Sequence, residues 1–90
     1  MQRAHVIIHG RVQGVFFRAY AKEKAELRGL SGFVKNMSDG SVEVVAEGNE
    51  TSIREFIEDL EEGPSSAVVQ KLDVKKTDPT NEFLGFEIRH

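Results

Sequence analysis

The segment Gly10-Arg11-Val12-Gln13-Gly14-Val15-Phe16-Phe17-Arg18 sets a glycine-bearing turn directly before an arginine. It follows a short apolar run, His5-Val6-Ile7-Ile8-His9, and precedes a helix-forming stretch, Ala19 to Arg28. A strand that ends in such a turn and opens into a helix can aim successive backbone N–H groups at an anion. The helix N-terminus adds partial positive charge. Arg18, at the far edge, offers a planar fork matching two phosphate oxygens. The same residues also suit a plain strand-to-helix connection with Arg18 solvated. Arginine in a first helical turn opposes the helix dipole, however, and a nearby anion relieves that conflict.

The second group able to do chemistry is Asn36, near the end of Gly32-Phe33-Val34-Lys35-Asn36-Met37. Its carboxamide could bond local backbone beside a turn. It could equally accept a hydrogen bond from a water without bringing negative charge beside an anionic phosphate. Val12-x5-Arg18 has the spacing of the Cys-x5-Arg loop of phosphatases that form a phosphocysteine, but valine stands where their nucleophile would be. Geometry for wrapping a phosphoryl group is thus compatible with having no thiolate to attack it. Walker-type nucleotide binding is set aside because no Gly-Lys-Ser/Thr follows. Between Gly10 and Arg18 there is no His, Asp, Glu or Cys to act as a general acid. Such a site suits a leaving group that departs without a proton.

The rest of the chain has to position these residues. Ninety residues make a single domain with a modest core. There is no cysteine, so disulfides and thiolate metal sites are excluded. No apolar stretch could span a bilayer and no signal peptide is evident, so a soluble cytoplasmic protein, monomeric by default, is expected. A net charge of −3 argues against a dedicated nucleic-acid binder.

The first strand is predicted from Ala4 to Gly10, with Ala4, Val6 and Ile8 on one face. In the following helix Phe17, Ala21 and Ala25 form a stripe flanked by Tyr20 and Leu27, with Gly29 as the C-terminal cap. Strands Gly32–Met37 and Val42–Glu47 flank an Asp39-Gly40 hairpin turn. Asn49 or Ser52 can cap a second helix whose Ile53, Phe56, Ile57 and Leu60 make one stripe, ended by Gly63-Pro64. A strand over Ala67–Lys76, with Val68, Leu72 and Val74 inward, and a short strand Phe86-Glu87-Ile88 complete the chain. The order β-α-β-β-α-β plus a terminal strand implies a ferredoxin-like α+β sandwich, with both helices on one face of an antiparallel sheet.

Val12-Gln13-Gly14-Val15-Phe16-Phe17-Arg18 taken with Gly32-Phe33-Val34-Lys35-Asn36-x3-Gly40-x-Val42-x5-Gly48 resembles the acylphosphatase family over nearly the full chain. The resemblance implies hydrolysis of a carboxyl–phosphate anhydride to carboxylate and inorganic phosphate. Catalytic roles would fall to Arg18, binding the phosphoryl group, and Asn36, orienting the attacking water. The amides of Gln13, Gly14, Val15, Phe16, Phe17 and Arg18 would hold phosphoryl oxygens. The partner is a small acyl phosphate, with inorganic phosphate as product and competitive inhibitor. No metal, cofactor, covalent intermediate, nucleic acid or membrane is implied. Acetyl phosphate, carbamoyl phosphate and a phosphoglycerate anhydride all fit as substrates.

Two other roles fit the same order of elements. An RNA-recognition domain would stack bases on exposed aromatics, yet Gly32-Phe33-Val34 is only a fragment of that signature. The acylphosphatase-like segment of larger carbamoyl-transfer maturation proteins is the other; a free-standing enzyme is preferred. His5 and His9 share a strand face about 13 Å apart at ~3.3 Å per residue, too far to chelate one metal. Glu55, Glu58, Asp59, Glu61 and Glu62 form a solvated helix face.

Overall fold

The computed structural model describes residues 1–90 in the order β1 (Gln2–Arg11), α1 (Phe17–Leu27), β2 (Ser31–Asn36), β3 (Val42–Gly48), α2 (Glu50–Glu62), β4 (Val68–Thr77) and β5 (Phe86–Arg89). The strands form one sheet in the order β4-β1-β3-β2-β5. β1 pairs antiparallel with β3 and β4, and β2 pairs antiparallel with β3. The ferredoxin-like sandwich is therefore present, but its sheet is mixed rather than wholly antiparallel. β5 runs parallel to β2, from Gly32 opposite Phe86 to Lys35 opposite Arg89. β4 points opposite to β1 and β2, so a strand that returns after β4 has to run with β2. The carboxyl ends of β1, β2 and β5 consequently meet at one end of the sheet.

Ala4, Val6, Ile8, Val34, Val42, Val44 and Ala46 form the covered face of the sheet. Phe17, Ala21 and Ala25 of α1 and Ile53, Phe56 and Leu60 of α2 close over it. Leu27, expected beside the α1 stripe, is 71% exposed, because two residues past Ala25 is about 200° around the helix. α1 ends in a Schellman motif, with Gly29 N–H donating to Glu26 O and Leu30 N–H to Ala25 O. Asn49 caps α2 by accepting from Ser52 N–H at 2.8 Å, so Ser52 is a donor in the cap rather than the cap itself. Arg28 forks onto Asp59 at 2.7 and 3.0 Å, tying the end of α1 to α2.

Strict alternation put Val68, Leu72 and Val74 inward on β4, but Val68 is 55% exposed. The β1–β4 register slips between His9 and Gly10, leaving Gln70 unpaired. This bulge shifts the face by one residue, so Val69 packs on the core together with Leu72. Val74 shares that face but stays largely exposed on the edge strand. No helix is long and apolar enough to cross a membrane. His5 and His9 pair with Glu43 and Asp73 across neighbouring strands, at 2.7 and 2.9 Å.

The sheet face away from the helices holds a buried acid. Glu47 is 1% exposed. Its carboxylate accepts from Arg3 Nη1 at 3.1 Å, Thr80 N–H at 2.8 Å, Thr80 Oγ1 at 3.1 Å and Asn81 N–H at 3.0 Å. Burial pushes this carboxyl upward, but the backbone donors of Thr80 and Asn81, then Arg3 and the Thr80 hydroxyl, hold it net below its ordinary value. Glu47 thereby anchors the β4–β5 connection, which carries the chain from one sheet edge to the other. A carboxyl made more acidic by folding stabilises the fold above its unfolded pKa, and that stability is lost as pH falls through the folded value. Urea unfolding followed from about pH 7 to about pH 3 is expected to show a shallower loss of stability in Glu47→Gln than in the wild type. Equal pH slopes would remove Glu47 as the acid-sensitive anchor.

Candidate functional site

The turn between β1 and α1 is built around two left-handed residues. Gly14 has φ 73°, where glycine carries no Cβ penalty, and Phe16 has φ 64° and ψ 23°. Between and beside them, Val12, Val15 and Phe17 are buried and fasten the turn to the core. Phe16 occupies the N-cap of α1, a position that favours Ser, Thr, Asp or Asn, and it makes no side-chain cap bond. The helix bond from Tyr20 N–H to Phe16 O is the first along this stretch, and the backbone N–H groups from Gly14 to Ala19 donate to no protein acceptor. An uninterrupted row of free donors at a helix N-terminus is able to receive an anion.

These residues border a cleft of about 420 Å³ that Gly14, Phe16, Phe17, Arg18 and Asn36 line together. No Asp or Glu side chain lines it; its ionisable side chains are Arg18 and His90. Arg18 thus brings a positive side-chain charge to the cleft in a protein whose net charge is −3. Asn36 is the last residue of β2 and shares the helix-side face with Val34. Its Oδ1 is buried with no hydrogen-bond partner. An orphaned buried carbonyl oxygen carries a desolvation cost of about 1–3 kcal/mol until a donor reaches it. In a cleft, that donor is a water or a ligand.

Gln13 and Val15 belong to the turn but do not line the cleft. The Gln13 side chain passes behind it, where Nε2 donates to Met37 O at 2.7 Å and to Ser41 O at 2.8 Å. Met37 follows Asn36 directly, so Gln13 pins the turn to the strand end that carries Asn36. The hairpin is firm at that point, because the Asp39 carboxylate accepts from the Ser41 hydroxyl at 2.6 Å and from Ser41 N–H at 2.9 Å. Both bonds, the hydroxyl first, hold the Asp39 carboxyl below its ordinary value. On the other flank Ser66 Oγ donates to Val15 O at 3.1 Å.

Sequence reasoning missed Ala19, Ile88 and His90 as cleft residues; Val12, placed in the turn by its spacing from Arg18, lines the cleft as well. Arg18 Nη1 donates to His90 Nδ1 at 3.0 Å. Because arginine only donates, Nδ1 is the acceptor there, and a neutral ring carries its proton on Nε2. Ile88 and His90 arrive because β5 runs parallel to β2, a pairing that no local spacing signals.

A family model described as Acylphosphatase matches residues 4–88. An acylphosphatase of Roseiflexus sp. (strain RS-1) is 48% identical over 88 residues, covering 98% of this chain and 95% of that protein. The crystal structure of acylphosphatase from Bacillus subtilis superposes with a TM-score of 0.97 at 36% identity, over 100% of both chains. The structure of full-length HypF in its phosphate- and nucleotide-bound form matches with a TM-score of 0.88 at 33% identity, over 100% of this chain and 12% of that one.

Removing the Gln13 staple takes away two hydrogen bonds worth about 0.5–1.5 kcal/mol each, while Met37 O keeps Gly40 N–H and Ser41 O keeps Met37 N–H as donors. Gln13→Ala is expected to lower the unfolding free energy by about 1–3 kcal/mol in urea titrations. An unchanged midpoint and slope would mean that the staple contributes nothing to holding the turn.

Proposed function

The chain belongs to the acylphosphatase family and is a hydrolase of acyl phosphates, and we propose that it works in the cleft between the Val12–Phe16 turn and Asn36. The observation that carries this is the buried, unpartnered Asn36 Oδ1, set in a cleft whose other wall presents unpaired backbone N–H groups. The phosphoryl oxygens accept from the amides of the turn and first helical turn and from the Arg18 guanidinium. A water donates one hydrogen to Asn36 Oδ1, which turns a lone pair toward phosphorus. As the new P–O bond forms, the bond to the acyl oxygen breaks, and its electron pair leaves with the carboxylate. The water's proton passes to a phosphoryl oxygen.

Each group acts on a feature that this chemistry makes rate-limiting. Phosphoryl transfer runs through a loose transition state, so catalysis consists mainly of positioning and charge stabilisation. Prearranged amides and a guanidinium supply the charge stabilisation without reorganising. The carboxylate, with a conjugate acid of pKa about 4, leaves without a general acid. A metal-independent route with no covalent intermediate follows from this set of groups. The same proposal takes residues 1–90 as one catalytic domain acting as a cytoplasmic monomer. Released phosphate inhibits competitively, because it carries the oxygens that the turn holds.

Phosphate release from acetyl phosphate or benzoyl phosphate is expected to persist in EDTA; turnover that needs added metal would overturn the metal-independent route. Arg18→Gln should lose both phosphate inhibition and turnover. Asn36→Ala should keep phosphate inhibition while kcat falls by about 10²-fold or more, as for loss of an oxyanion-type donor. Full kcat in Asn36→Ala would remove its role in aiming the water.

A further inference from the structure

Phe16 is in the wrong place for a structural phenylalanine. It is 83% exposed, so its ring gains little from burial. Its backbone is left-handed, with φ 64° and ψ 23°, where a glycine would sit without strain and a bulky residue is an outlier. It also takes a helix N-cap without capping the helix. Its neighbours Val15 and Phe17 are both buried, which fixes the backbone between them and keeps the ring turned outward. Glycine would serve the turn better on every one of these counts.

The cleft suggests what the ring is for. At about 420 Å³ it is far larger than a phosphoryl group and one water need, since a water occupies about 30 Å³. Its polar elements, Arg18, the free amides and Asn36 Oδ1, are taken up by the phosphoryl group and the water. The rest of the lining is mostly apolar, with Phe16, Ala19 and Ile88 beside the imidazole of His90, which already accepts from Arg18. The acyl group of a bound substrate is the only part left to meet that wall.

We infer that Phe16 is a specificity-determining residue, whose exposed ring receives the acyl group and favours acyl phosphates with aromatic or bulky apolar acyl groups over acetyl-sized ones. This rests on the proposed function, with the phosphoryl group in the cradle. The ring acts on the substrate's body while its own amide serves the phosphoryl group, so the two contributions separate by substrate. Offset or edge-on contact between an aromatic acyl group and the ring accounts for a preference of about 3- to 10-fold.

The test compares kcat/KM for benzoyl phosphate and acetyl phosphate in the wild type, Phe16→Leu and Phe16→Ala, with the inhibition constant for inorganic phosphate in each. The wild type should prefer benzoyl phosphate. The benzoyl-to-acetyl ratio should fall by about 3- to 10-fold in Phe16→Ala and by less in Phe16→Leu. The ratio is taken within each variant, so damage to the turn, which phosphate inhibition reports separately, cancels. A wild type that hydrolyses both substrates, with the same ratio in all three proteins, would overturn the role of Phe16 and leave the proposed function standing. A wild type that hydrolyses neither would overturn both.

Discussion

The constraint on which this structure turns is that a run of backbone N–H groups, Gly14 to Ala19, stays unpaired at the end of a folded domain. Unpaired donors ordinarily draw a loop into some other hydrogen-bonded shape. Here the turn is held from behind instead. Val12 and Val15 are sunk in the core, Ser66 binds Val15 O, and the Gln13 side chain reaches Met37 O and Ser41 O. None of these fastenings uses an N–H that the anion would need. The turn is thus held in place without a ligand, and on the proposed function little ordering entropy would remain to be lost on binding.

The same logic extends to the far face of the sheet. Glu47 binds Arg3, Thr80 and Asn81, and so fixes the connection that crosses from β4 at one edge to β5 at the other. β5 then runs beside β2 and delivers Ile88 and His90 to the cleft where β2 has delivered Asn36. A buried carboxylate remote from the chemistry thereby sets one wall of the site. Arg18, which donates to His90 Nδ1 at 3.0 Å, thus has a side-chain partner that β5 brings to the cleft.

Much of this was legible in the sequence, and what was not has physical causes. The stripes Phe17-Ala21-Ala25 and Ile53-Phe56-Leu60 fall at helical spacing, and Asp39-Gly40 marks its hairpin, so local rules suffice. The glycine turn before Arg18 is legible as a candidate anion site because its chemistry would lie in contiguous backbone. Val68 was misassigned because a bulge at Gln70 shifts the period by one, and no residue type there signals it. The parallel pairing of β5, the burial of Glu47 and the arrival of His90 are long-range outcomes of topology. The side chain of Gln13 reads locally as part of the turn, and its reach to the Asn36 strand end appears only once the hairpin is folded.

Charge and geometry then divide the work between main chain and side chain. In the proposed mechanism the amides hold the phosphoryl group, Arg18 adds the full positive charge, and Asn36 offers a neutral acceptor that does not repel it. The central claim is that the phosphoryl group sits on the free amides of this turn. Titrating inorganic phosphate into ¹⁵N-labelled protein, with amide signals followed by NMR, tests it most directly. The account requires saturable shifts in the amides of Gly14 to Ala19. Shifts confined to other parts of the chain, with those amides unmoved at saturation, would contradict it.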